Sequence, residues 1–264
     1  MEPPIGVIDS GVGGLTVVKE LLNRLPNEPI VYIGDDARCP YGPRAVEEIK
    51  AFTMEMASAL AEKGIKMLVI ACNTATAAAL DDLRAFFPFP IVGVIEPGAR
   101  AAVNASQTDE IAVLGTVGTV NSGAYEDAIH RLVPKAKVHS LACPAFVPIV
   151  ESGQYKSEHA STIVKQTLEP LQQVDFDTAI LGCTHYPLLQ HHIQQHLPGT
   201  VRIISSAIET VHDVERLLHL NSIERLETRK VSPVFYTTGE LDKFRSIVAD
   251  WLSIDKLDVR QIEL

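Results

Sequence analysis

Two of the four cysteines occupy the same local pattern. Cys72 closes Met67-Leu68-Val69-Ile70-Ala71 and is followed by Asn73-Thr74, and Cys183 closes Thr178-Ala179-Ile180-Leu181-Gly182 and is followed by Thr184-His185. An apolar run ending in small-Cys-polar-polar reads as a buried strand that delivers a thiol to the carboxyl end of a sheet. Ligand sites of open parallel sheets lie there. A thiol at the start of the following helix feels the positive end of the helix dipole and nearby N–H groups, and both favour thiolate. Two such thiols opposed across a cleft suit inversion of a stereocentre, in which one takes a proton and the other returns a proton to the opposite face. A lone free cysteine is more often a small buried hydrophobe. Cys39 and Cys143, each followed by proline, are read that way, whereas polar residues rather than more core follow Cys72 and Cys183.

The residues beside the thiols suit a small anion. Asn73, Thr74 and Thr184 offer side-chain donors, and first-turn N–H groups of a helix bind carboxylates. The same residue types also serve as plain N-caps, and the two roles can coexist. Asp9 and Ser10 end the first apolar run. Either the aspartate orients or deprotonates a neighbouring thiol while the serine donates to substrate, or Asp9 merely caps the glycine turn that follows. His185 is placed to tune the protonation of Cys183, against the commoner structural role of a lone histidine. Glu151 is a candidate partner for that histidine, against the ordinary reading of a solvated glutamate before a Ser-Gly loop. Pro40-Tyr41-Gly42-Pro43-Arg44 is a rigid turn that presents a tyrosine, as either a surface turn or a substrate wall. Neither Asp9-Ser10-Gly11-Val12-Gly13-Gly14 nor Gly115-Thr116-Val117-Gly118-Thr119 has the G-x-G-x-x-G order or the lysine of a phosphate loop. Both read as tight turns that let main chain approach a small ligand.

Strands and helices in alternation must position these residues. Apolar runs at Ile5 to Ile8, Pro29 to Ile33, Met67 to Ala71, Ile91 to Ile95, Ile111 to Leu114, Val138 to Leu141, Thr178 to Leu181 and Val201 to Ile204 are separated by helical stretches such as Leu15 to Leu25 and Ala45 to Lys63. That rhythm implies βαβ units, mainly parallel sheets and an α/β fold. A helical stretch to His219, a polar segment, a late strand at Val234 to Thr237 and an amphipathic helix near Leu241 to Leu252 follow, and the late strand is free to rejoin the first sheet. Ile5 to Gly11 resembles Ile111 to Val117, and Met67 to Thr74 resembles Thr178 to His185, at nearly equal separations. The echo suggests two similar α/β halves, although short matches between βαβ strands also arise from shared physics.

Composition bounds the function. At 264 residues and 46% hydrophobic, the chain has the material for two packed domains. Its 23 Lys and Arg against 33 Asp and Glu give a formal charge of −10, the wrong sign for a nucleic-acid backbone binder. No apolar run reaches the roughly 18 residues of a membrane span, and the amino terminus lacks the basic region and apolar core of a signal peptide. A cytoplasmic protein with free thiols, no membrane association and no metal site is expected, because no two cysteines form a CxxC pair.

Taken jointly, Asp9 to Leu15, Cys39-Pro40-Tyr41-Gly42, Cys72-Asn73-Thr74-Ala75-Thr76, Gly115 to Thr119 and Leu181-Gly182-Cys183-Thr184-His185-Tyr186-Pro187 closely resemble the glutamate racemases of the aspartate/glutamate racemase family. The resemblance implies a cofactor-free isomerase that interconverts L- and D-glutamate and supplies D-glutamate for peptidoglycan biosynthesis, cell-wall biogenesis and cell shape, commonly as a homodimer. By position it makes Cys72 and Cys183 the catalytic thiols, assisted by Asp9 and His185. Asp9, Ser10, Tyr41, Gly42, Asn73, Thr74, Thr184 and His185, with Thr116 and Thr119 added, would line the substrate pocket. It also implies two similar α/β domains with the active site in the cleft between them, residues 1–96 with 208–264 and residues 97–207. Because Ile5 opens the first strand almost at once, the activation by a cell-wall precursor found in some relatives is not expected. The alternatives are an aspartate racemase or another two-cysteine racemase, a non-catalytic small-anion binder with both cysteines as caps, and a pyridoxal-dependent racemase built on a Schiff-base lysine.

Overall fold

In the computed structural model, which describes residues 2–254 and 257–264, the chain divides into two units. One comprises the chain up to Val94 together with Ala207–Leu264, and the other is Ile95–Ser206.

The first unit opens with β1 (Ile5–Asp9), α1 (Leu15–Arg24), β2 (Ile30–Gly34), α2 (Val46–Glu62), β3 (Met67–Ile70), α3 (Asn73–Phe86) and β4 (Ile91–Gly93). β1 and β3 are buried along their whole length, as central parallel strands covered on both faces must be, and this is why they read as unbroken apolar runs. Their alternate residues serve two cores. Ile5 and Val7 of β1, with Met67, Val69 and Ala71, join Leu15, Val18 and Leu21 of α1. Ile8, Leu68, Ile70 and Cys72 join Ile49, Met56 and Leu60 of α2 and Ala79 and Leu83 of α3. Cys72 therefore continues the face begun by Leu68 and Ile70, and the period of the strand decides which way the thiol points.

The second unit runs α4 (Ile95–Ala105), β5 (Glu110–Gly115), α5 (Val117–Asn121), α6 (Ala124–Leu132), β6 (Lys137–Ala142), α7 (Phe146–Glu151), α8 (Glu158–Thr167), β7 (Thr178–Gly182), α9 (Gln190–His196) and β8 (Arg202–Ser205). Its sheet has the order β6-β5-β7-β8, all parallel. β5 and β7 are central and buried, and β6 and β8 are part-exposed edges.

After α10 (Ser206–Leu220) come β9 (Val234–Thr237), α11 (Leu241–Leu252) and β10 (Asp258–Gln261). The late strand does rejoin the first sheet: β9 pairs in parallel with β2, and β10 adds outside it, for an order β10-β9-β2-β1-β3-β4. Val211, Val214, Leu218, Phe244 and Val248 of the returning helices pack on the core that holds α1. Without the two returning strands, the first sheet has the order second-first-third-fourth, and the second sheet has the same order. The echo between the halves of the sequence is thus a shared topology, two α/β units of one plan. The sequence-based strand at Ile91 to Ile95 is shorter here, ending at Gly93 so that α4 can begin at Ile95. Among the described residues no helix is long and apolar enough to cross a membrane.

Candidate active site

In the first unit the residues of interest gather at the carboxyl ends of β1, β2 and β3. Ile8 is paired with Ile70, and the Ala71 N–H donates to the Ile8 carbonyl (2.9 Å), so the ends of β1 and β3 run side by side. This register brings Ser10 to Cys72, whose thiol donates to Ser10 Oγ at 3.6 Å. The sulfur also accepts the Ala75 N–H at 3.4 Å, which makes Cys72 itself the N-cap of α3. The sequence points to Asn73 or Thr74 as capping residues, but the cap is the sulfur, and both of those side chains lie buried in the first helical turn. A sulfur so placed meets the positive end of a 14-residue helix. Asp9 is fully buried, and its Oδ2 accepts the Gly11 N–H at 3.1 Å, so it does cap the glycine turn.

Tyr41 and Gly42 are buried. The tyrosine is not displayed on a surface turn, because its ring packs on Phe52 (centroids 5.8 Å apart) and its hydroxyl donates to Asp35. Burial, reinforced by that carboxylate, pushes the Tyr41 hydroxyl well above the ordinary phenol range, so it stays a donor. Cys39 is half-exposed rather than a core thiol, with its sulfur 3.1 Å from where a side chain on Gly11 would begin.

In the second unit Gly115 is paired with Gly182, so Thr116 and Cys183 leave neighbouring strand ends just as Ser10 and Cys72 do. Thr116 caps α5 by accepting the Thr119 N–H at 3.2 Å, and the two threonine hydroxyls are 3.0 Å apart. The surroundings of Cys183 differ from expectation. It does not start an α-helix: Thr184 and His185 form a turn that leads into a 3-10 turn, Tyr186–Leu189, before α9 begins. Pro187 in that turn has no N–H to contribute to a longer helix. In place of a strong helix dipole, Cys183 has a charged neighbour. His185 Nδ1 lies 3.8 Å from the Cys183 sulfur, and its Nε2 lies 2.7 Å from Glu151 Oε1. Burial of His185 opposes its charge, but the hydrogen bonds to Cys183 and Glu151 prevail and raise its pKa to about 10. Glu151, at the end of α7, is thus a partner of the histidine rather than a solvated residue.

Buried groups close the back of this thiol. Tyr186 donates to the Cys143 carbonyl (3.0 Å) and packs edge-on against Phe146, with centroids 5.0 Å apart. Burial, with Cys183 nearby, pushes the Cys143 thiol up to about 12 and leaves it protonated. Among the described residues no group of three or more His, Cys, Asp or Glu side chains is placed to hold a metal ion.

Each unit therefore ends two adjacent central strands in a hydroxyl residue and a cysteine. One thiol caps a helix and the other pairs with a protonated histidine, and chemically each is equipped to exchange a proton with a carbon acid. The Asp/Glu/Hydantoin racemase family matches residues 5–214, and the chain belongs to this family, whose members are isomerases. More particularly, it is 53% identical to the glutamate racemase of Lysinibacillus sphaericus over 264 residues, all of both chains. A crystal structure of a glutamate racemase isoform from Bacillus anthracis superposes with a TM-score of 0.94 at 46% identity, covering 99% of this chain and 98% of that one. The glutamate racemase of Francisella tularensis, crystallised with D-glutamate, gives 0.93 at 33% identity, covering 99% and 98%.

Proposed function

We propose that this protein interconverts L- and D-glutamate by a cofactor-free two-base proton transfer, with Cys72 and Cys183 as the two bases. The observation that carries the reading is the equivalence of the two thiols, which leave the same position of two sheets of one order beside a hydroxyl residue, Ser10 or Thr116. Glutamate as the substrate rests on the full-length similarity to glutamate racemases of several bacteria.

In this scheme the two thiols act on one α-carbon. One sulfur, as thiolate, takes the α-proton, and the other, as thiol, gives its proton to the opposite face of the same carbon. One C–H bond breaks and one forms, and the enzyme ends with its two protonation states exchanged. Main-chain N–H groups at Tyr41-Gly42 and at the first turn of α3, with Ser10, Asn73, Thr74, Thr116, Thr119 and Thr184, hold the carboxylates and limit the negative charge that builds at the α-carbon. Asp9 fixes the glycine turn beside Ser10, and protonated His185 faces Cys183. Work in the cytoplasm as a homodimer, supplying D-glutamate for peptidoglycan, belongs to the same proposal and is supported by the resemblance to the family.

The test is racemisation of glutamate and of aspartate, without added cofactor and in heavy water, by wild type, Cys72→Ser and Cys183→Ser. The expected results are turnover of glutamate, deuterium at the α-carbon, and a loss of roughly 100-fold or more in each variant. Full activity in either variant defeats the two-thiol scheme, and a preference for aspartate defeats the substrate assignment.

A further inference from the structure

Asp35 directly follows β2 and is fully buried, yet it accepts hydrogen bonds from three side chains, none of which is a proposed base. Its Oδ2 accepts from the Tyr41 hydroxyl and from Arg38 Nε (2.6 Å), and its Oδ1 accepts from the Thr238 hydroxyl (2.8 Å). Its own N–H donates to the Asp9 carbonyl at 3.0 Å. Arg38 in turn is fixed by Glu55 (2.6 Å) and by stacking over Phe52, 3.9 Å from the ring centroid, the same ring that Tyr41 packs on. Arg44, on the far side of the Cys39-to-Pro43 segment, donates to the Arg38 carbonyl at 2.8 Å. Both ends of that segment are thus tied back to one buried carboxylate.

Thr238 belongs to the turn after β9, and its hydroxyl serves both as donor and as acceptor. It donates to Asp35 and accepts the Ala37 N–H at 3.1 Å. The Thr238 N–H donates to the Gly34 carbonyl at 3.2 Å, and Gly239 packs so closely on Asp36 that a Cβ there would fall 2.6 Å from a carboxylate oxygen. A buried carboxylate is held in one geometry by the donors that reach it, and each donor removed there is costly because no water takes its place.

We propose that Asp35 and Thr238 are positioning residues for substrate binding: Asp35 sets the Tyr41-Gly42 main chain through Tyr41 and Arg38, and Thr238 holds Asp35 in place. The returning C-terminal segment thereby acts on the substrate wall through a hydroxyl that never meets the substrate. The inference rests on the proposed function, in which the Tyr41-Gly42 main chain contacts a substrate carboxylate.

Steady-state kinetics of Thr238→Val, Thr238→Ser and Asp35→Asn in both directions, beside thermal unfolding of each, test it. Removing the hydroxyl in Thr238→Val is expected to raise KM about tenfold, as the loss of one such buried hydrogen bond would. kcat should change far less, and Thr238→Ser should restore KM. Asp35→Asn, which turns an acceptor toward its three donors into a partial donor, should raise KM further. A purely structural role would instead lower the unfolding midpoint and the active fraction, and so the apparent kcat, at unchanged KM. Wild-type KM in Thr238→Val, or a raised KM that serine does not restore, overturns the inference while wild-type racemisation leaves the proposed function standing. A wild-type protein that does not racemise glutamate overturns both.

Discussion

Glu151 Oε1 stands 2.7 Å from Nε2 of His185, a histidine whose other ring nitrogen faces the sulfur of Cys183 at 3.8 Å. The carboxylate is the outer member of a three-residue line that begins at the thiol. Replacing it tests whether the line matters to chemistry. Glu151→Gln keeps the shape and a hydrogen bond but removes the charge that helps keep His185 protonated. The alkaline limb of the kcat profile should move to lower pH, with activity at pH 8 reduced roughly tenfold, the worth of one charge-assisted hydrogen bond. A pH–rate profile that overlays wild type would remove Glu151 from the mechanism.

The same line makes stability depend on pH. An ordinary histidine titrates near 6.5, and His185 is held up to about 10 in the folded protein, with burial opposing and Cys183 and Glu151 outweighing it. A group whose folded pKa is raised stabilises the fold fully below its unfolded value, and that contribution fades as pH climbs through the folded value. The unfolding midpoint of wild type should therefore decline between about pH 6.5 and pH 10, and His185→Asn should flatten that decline while starting from a lower midpoint. Parallel pH dependence in the two proteins would count against a charged His185.

Gly14, at the start of α1, is required for space rather than for backbone freedom. A Cβ there would sit 2.6 Å from Asp9 Cβ and 2.8 Å from the Tyr32 hydroxyl, which donates to the Gly11 carbonyl at 2.6 Å. Gly14→Ala must displace Asp9 or the glycine turn. The expected cost is about 1–3 kcal/mol of stability, together with a marked loss of activity. Gly199→Ala is the matched control, since nothing lies within 4 Å of a Cβ at that position. Thermal unfolding and turnover of the pair check the claim, and equal behaviour of the two variants would refute it.

Much of the fold is legible in the sequence because it is written in local apolar runs. β1, β3, β5 and β7 are central, so their residues are apolar without alternation, and the echo between the halves survives as one strand order. β10 is illegible for the opposite reason: Asp258-Val259-Arg260-Gln261 is an edge strand with a single buried residue, and its sequence carries almost no periodic signal. The sequence pattern suggests a helix starting at Cys183, and the signal against it is Pro187, four residues on and unable to donate an N–H. The thiols and the histidine beside one of them stand out because their chemistry is local. Asp35 does not, since two of its donors, Arg38 and Tyr41, look like parts of an ordinary turn and the third, Thr238, comes from 203 residues away. Glu151 lies 34 residues from His185, and the sequence can name it as a partner but cannot choose between that and a solvated glutamate.

The two thiols have unlike neighbours, a serine and a helix terminus at Cys72, a histidine and a glutamate at Cys183. For the proposed two-thiol racemisation, a reaction between mirror images, this inequality has a fixed limit. Mirror images have equal free energy, so the equilibrium constant is unity, and kcat/KM must be the same for both enantiomers whatever surrounds each sulfur. The asymmetry can appear only in how kcat and KM are divided in each direction. A substitution at His185 or Ser10 will shift that division for both enantiomers and will leave the ratio of their specificity constants where it began.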